Sequence, residues 1–125
     1  MYTKVNYEEV DPVGEAMHLL REPLDTEQVG VTVARCPPGW KSVPHEHTDN
    51  DHEEVYVLIE GAADVIVDDE RVPMSEGDAI HIPPESTRQI ENGDAESAFV
   101  LVSGPEGLEG EGGVEHEWII DGFSG

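Results

Sequence analysis

The constraint that matters most in this chain is its rhythm. Short β-rich runs recur at close intervals, with Gly, Pro, Asp and Asn between them, and no helical period is sustained anywhere. Strands are expected near Val5–Tyr7, Met17–Arg21, Val29–Cys36, Trp40–His47, Glu53–Glu60, Ala63–Val67, Arg71–Pro73, Ala79–Ile82, Thr87–Glu91, Ala98–Ser103 and Glu115–Ile120. The breaks are Pro37-Pro38-Gly39, Gly61, Asp68-Asp69, Glu76-Gly77-Asp78, Pro83-Pro84 and Asn92-Gly93-Asp94. Each supplies turn chemistry or removes a ladder donor. Many short strands of this kind close into a sandwich or barrel, so the fold class is all-β.

The chain has 125 residues, the size of one domain able to bury its own core, and residues 1–125 are read as a single domain. Within it, residues 104–113 form a Gly/Glu-rich connector without a packing pattern, and Trp118-Ile119-Ile120 beyond it is apolar enough to pack back on the barrel or on a partner subunit. No apolar run is long enough to span a bilayer, and the N-terminal residues lack the basic-then-apolar pattern of a secretory leader. Cys36 is the sole cysteine, which excludes an intrachain disulfide and fits a reducing, cytoplasmic setting.

Charge narrows the partners. Asp and Glu number 29 against six Lys and Arg, for a formal charge of −23. Such a surface repels phosphate backbones and anionic headgroups, so neither nucleic acid nor membrane is an expected partner. The acids are spread over the whole chain, and Lys4 and Lys41 are its only lysines. The composition resembles that of cytosolic proteins from salt-accumulating halophiles. At molar salt the screening length falls to about 3 Å, and the self-repulsion of such a chain largely disappears.

The chemistry gathers in residues 39–61, GWKSVPHEHTDNDHEEVYVLIEG. His45 and His47 stand two apart in an expected strand, so both imidazoles leave one face. Val43 shares their parity, while Ser42, Pro44 and Glu46 take the other, which makes the histidine face the inward one. A hairpin return brings the Glu54 carboxylate beside them. Two imidazoles and a carboxylate converging inside a barrel make an incomplete centre for Fe, Mn, Ni, Cu or Zn. Tyr56 shares the parity of Glu54 and points inward, as core filler or as a hydrogen-bonding group for a ligand. His81 lines the pocket or packs at its rim; His18 and His116 are surface residues.

These residues resemble the cupin superfamily. Its first motif runs Gly, five residues, His-x-His, three or four residues, Glu, six residues, Gly, and Gly39, His45, His47, Glu54 and Gly61 follow it. Six residues separate His47 from Glu54, so the loop is about two residues longer than the family's, and His52 at its end could substitute for His47. The second motif runs Gly, five residues, Pro-x-Gly, two residues, His, three residues, Asn. Gly77, Pro83 and Asn92 fall in place, but Glu85 stands at the Gly position and Arg88 at that of the last metal-binding histidine. The resemblance implies a small jelly-roll barrel with its site in the mouth. It also implies a homodimer that buries apolar outer faces such as Val55, Val57 and Ile59.

A guanidinium cannot ligate and repels a nearby dication, and it suits a bidentate bond to a carboxylate. Two readings follow. In one, His45, His47 and Glu54, helped by His52 or water, hold a metal with open positions. Tyr56 or His52 then moves protons and Arg88 clamps an anionic small molecule, in an oxygenase- or isomerase-like enzyme acting on a small organic acid or carbonyl compound. In the other, Arg88 replaces the metal as counter-charge to Glu54, and the protein is a metal-free, non-catalytic binding or regulatory cupin. Ser-His-Asp constellations, phosphate-cradling Gly loops and CxxC pairs are absent from the sequence.

Overall fold

In the computed structural model, residues 1–48 and 52–104 are described. The elements run β1 (Met17–Leu19), α1 (Arg21–Leu24), β2 (Gly30–Cys36), β3 (Glu54–Glu60), β4 (Ala62–Val67), β5 (Glu70–Ser75), β6 (Ala79–Ile82), β7 (Arg88–Asn92) and β8 (Ser97–Ser103), with a 3-10 turn at Tyr7–Glu9 ahead of them. They form two antiparallel sheets, one of five strands in the order β1-β2-β8-β3-β6 and one of three in the order β5-β4-β7. The architecture is that of a jelly-roll barrel, as the strand rhythm implied.

Alternation along the strands builds the interior. Ala34 pairs with Phe99, Phe99 with Leu58, and Leu101 with Tyr56 across the large sheet. Their side chains meet Ala63, Val65, Met74, Ile82 and Ile90 in one buried cluster. Opposite parity sends a different set outward. Val31–Val102–Val55 and Val33–Val100–Val57 lie side by side across β2, β8 and β3, two half-buried rows with no charged residue among them. A register shift between Leu58 and Glu60 leaves Ile59 half exposed at the end of this face.

Two turns show why the sequence breaks where it does. Asp68 and Asp69 both have positive φ, 48° and 71°, the pattern of a tight hairpin between β4 and β5. The Asp68 carboxylate accepts from the Thr87 backbone N–H at 3.0 Å, tying that hairpin to the start of β7. Gly61, at φ 82°, sits where a Cβ would lie 2.7 Å from the Glu96 carbonyl oxygen, so turn and packing both require glycine.

Several expectations are corrected. Val5–Tyr7 is not a strand: the Asn6 side chain accepts from Glu8 N–H at 2.9 Å and starts the 3-10 turn instead. The strand from Met17 ends at Leu19, because Arg21–Leu24 closes a single helical turn capped by Asp25 in the left-handed region. Trp40–His47 is not a strand either: it runs beside β7 through isolated bridges at Lys41–Glu91 and His45–Arg88 and separate hydrogen bonds at Trp40 and Ser42, without a continuous ladder. Pro44 has no N–H to give a ladder, and the Ser42 hydroxyl accepts from Ile90 N–H at 2.8 Å, where a strand would offer a carbonyl. Glu115–Ile120 lies outside the described residues.

Candidate metal and ligand centre

The two sheets reach each other through Glu54 and Arg88. Glu54 opens β3, and its side chain faces the barrel interior from the same side as Tyr56 and Leu58. Arg88 opens β7 in the other sheet and is fully buried, the largest fully buried side chain among the described residues. Arg88 Nη1 donates to Glu54 Oε1 at 2.6 Å. The rest of the guanidinium is met by backbone: Nη2 donates to the carbonyls of Pro83 at 2.6 Å and Ser86 at 2.9 Å, and Nε to Ser86 at 3.2 Å. A buried cation needs this many acceptors. The turn from Pro83 to Ser86 provides them, closed by the Ser86 N–H donating to the Pro83 carbonyl at 3.2 Å.

The same turn positions a histidine. His47 N–H donates to the Pro84 carbonyl at 2.7 Å, while His45 exchanges both backbone hydrogen bonds with Arg88, at 3.1 and 2.8 Å. Partners in such a bridge present their side chains on one face, which puts His45 on the Arg88 side. The two imidazoles pack edge to face, 5.0 Å between centroids. His45 Nδ1–H donates to the Val43 carbonyl at 3.1 Å, which assigns the proton to Nδ1 and leaves the lone pair on Nε2.

Ligand atoms of His45, His47 and Glu54 lie within 4.8 Å of one another, all three half-buried. The chemistry of this set fits a divalent transition metal. Two ligands about 2.1 Å from a tetrahedral centre stand about 3.4 Å apart, and His47 Nε2 lies 3.4 Å from Glu54 Oε1. The fourth family position is Arg88, which has no lone pair to give.

Glu54 Oε1 is the hub of the site. Besides its bond from Arg88 and its approach to His47, it accepts a hydrogen bond from the Tyr56 hydroxyl at 3.3 Å. Burial, and then the adjacent Glu54 charge, hold the Tyr56 phenol well above its ordinary range, so at neutral pH it is a donor. His52 lies nearby, its ring centroid 6.0 Å from that of His47, but it is not one of the three clustered residues. The structure therefore gathers His45, His47, Glu54, Tyr56 and Arg88, with His52 beside them. His81 is on the outer surface, where it meets Glu53 Oε1 at 2.8 Å, and Val43 is exposed, not inward with the histidines. The carbonyls of Pro83 and Ser86 were not foreseen as site groups.

Two sheets rolled around a two-histidine, one-carboxylate cluster define a small jelly-roll barrel with a possible metal site. The chain belongs to the cupin family: the family's cupin-domain model matches residues 32–104, more than half of its length. An uncharacterized protein of Methanocaldococcus jannaschii is 30% identical over 95 residues, covering 71% of this chain and 74% of its own. A cupin protein from Bacteroides fragilis superposes with a TM-score of 0.72 at 24% identity, covering 85% of this chain and 86% of its own. A predicted oxalate decarboxylase from Thermotoga maritima superposes with a TM-score of 0.68 at 21% identity, covering 82% and 99%.

Proposed function

We propose that this cupin binds one divalent transition metal (Fe, Mn, Ni, Cu or Zn) through His45, His47 and Glu54, and acts on a small organic acid or carbonyl compound in an oxygenase- or isomerase-like reaction. The observation that carries this reading is the convergence of those three donor groups inside the barrel. When bound, the ion supplies Lewis acidity toward a substrate oxygen, or an open position for dioxygen. Arg88 orients the Glu54 carboxylate through the 2.6 Å bond. The Tyr56 hydroxyl and His52 are the groups that hold or move a proton at the bound ligand.

The test is elemental analysis of protein purified at high salt without chelator. About one transition metal ion per chain is expected. Content far below that, not restored by soaking with Mn, Fe, Ni and Zn, overturns the reading.

A second reading has its own support. The buried Arg88–Glu54 pair is already neutral, as a metal-free pocket requires. The protein is then a binding or regulatory cupin for a small, anionic molecule, without turnover. Under either reading residues 1–125 act as one domain, as a homodimer through the valine rows of the large sheet, in a salt-rich cytoplasm. Among the described residues no helix is long and apolar enough to cross a membrane.

A further inference from the structure

Outside the three-residue cluster, yet joined to it at one residue, lies a groove of about 520 Å³ between the Val13–Met17 turn and the segment Gly39–His45. Its apolar walls are Val13, Met17, Trp40 and Val43, and His45 also lines it. The indole of Trp40 is fixed in place: Nε1–H donates to the Gly14 carbonyl at 2.8 Å, stitching the two segments together. Val13 and Val43 are 57% and 79% exposed. In a chain carrying −23, two bare valines lining one groove with a candidate ligand residue favour an apolar occupant.

We propose that this groove seats the apolar body, an aromatic ring or branched alkyl chain, of a small monocarboxylic acid whose carboxylate reaches His45. The inference rests on the reading of His45, His47 and Glu54 as the ligand centre, and adds the substrate class. The volume suits a ligand of about ten heavy atoms or more. The charged groups lining the groove are Lys41, one of the chain's two lysines, and Glu15. A single carboxylate beside His45 is matched there by Lys41. A second carboxylate in the groove would meet the Glu15 charge, which disfavours diacids. Ser42 is the remaining polar side chain, and its hydroxyl already accepts from Ile90 N–H, so nothing in the groove calls for a sugar or polyol.

Phenylacetate and acetate separate the idea from its rivals. Trp40 becomes the sole tryptophan reporter in a Trp118→Phe background. The Co²⁺-loaded protein, in molar KCl, is titrated with each acid while Trp40 emission is followed. Each buried methylene is worth roughly fourfold in affinity, so phenylacetate is expected to bind at least tenfold more tightly than acetate and to perturb Trp40. Val43→Asn and Val43→Asp should both abolish that preference while metal content stays unchanged. Val43 is exposed, and its carbonyl bond to His45 is main-chain, so neither change threatens the fold. Equal affinities for the two acids, or a preference that survives both Val43 variants, overturn the inference. If the protein takes up no Co²⁺ but phenylacetate still outbinds acetate and perturbs Trp40, the groove stands and the metal reading falls.

Discussion

Arg88 is where the site departs from its family, and its energetics are readable residue by residue. Removing one partner of a buried ion pair costs about 3 kcal/mol or more, because the other charge is left uncompensated, whereas removing both can be close to neutral. Arg88→Met should therefore lower unfolding stability by about 3 kcal/mol in urea at constant high KCl, and adding Glu54→Gln should recover most of that loss. A double variant no more stable than Arg88→Met alone would mean that the carbonyl bonds to Pro83 and Ser86, not the charge pair, hold the guanidinium. Arg88→His completes a four-donor set, and metal affinity by competition titration should rise at least tenfold. The identity of His45, His47, Glu54, Tyr56 and Arg88 as neighbours was legible from the sequence, because motif spacing is one-dimensional and strand parity held in β3 and β7. How Arg88 is satisfied was not, since carbonyls of a Pro-Pro turn carry no side-chain signature.

At the scale of elements, Asn92 explains why a motif can end on asparagine. It is buried at the end of β7, and its Nδ2 lies within reach of three carbonyls, those of Cys36 at 3.1 Å, Pro37 at 2.7 Å and Ala95 at 3.0 Å. Its Oδ1 accepts from the Ser97 hydroxyl at 2.7 Å. One side chain thus ties the end of β2 and the β7–β8 turn to the start of β8. Asn92→Asp keeps the shape but turns two donors into lone pairs facing carbonyls, and should cost about 3 kcal/mol or more; Asn92→Ala should cost less. If thermal unfolding ranks the two the other way, the donors are not what matters. Gly61→Ala is a second check, expected to cost about 1–3 kcal/mol from positive φ and the 2.7 Å approach to Glu96. Strand existence was legible from β2 to β8, where alternation and turn residues agree. The exception, Trp40–His47, alternates like a strand, but Pro44 and the Ser42 side chain divert its backbone bonds, so Val43 faces out where parity had placed it inward.

For the whole molecule, charge and apolar surface set opposing demands. A formal charge of −23 on 125 residues makes each copy repel itself and every other copy. The outer face of the five-stranded sheet answers this, since its central rows of Val31, Val102, Val55, Val33, Val100 and Val57 contain no acid. A second copy can approach there with the least repulsion, and only once salt has shortened the screening length to a few ångströms. Folding stability and dimerisation should therefore rise together with KCl. In low salt the chain should lose structure on dialysis, by circular dichroism; at molar KCl light scattering should give twice the chain mass of 13.7 kDa. Val57→Lys places a charge in the middle of the rows on an outward-facing residue, so it should leave a folded monomer at molar KCl. A dimer that survives this substitution would move the interface elsewhere, and a melting temperature indifferent to KCl would remove charge repulsion as the force that links the two.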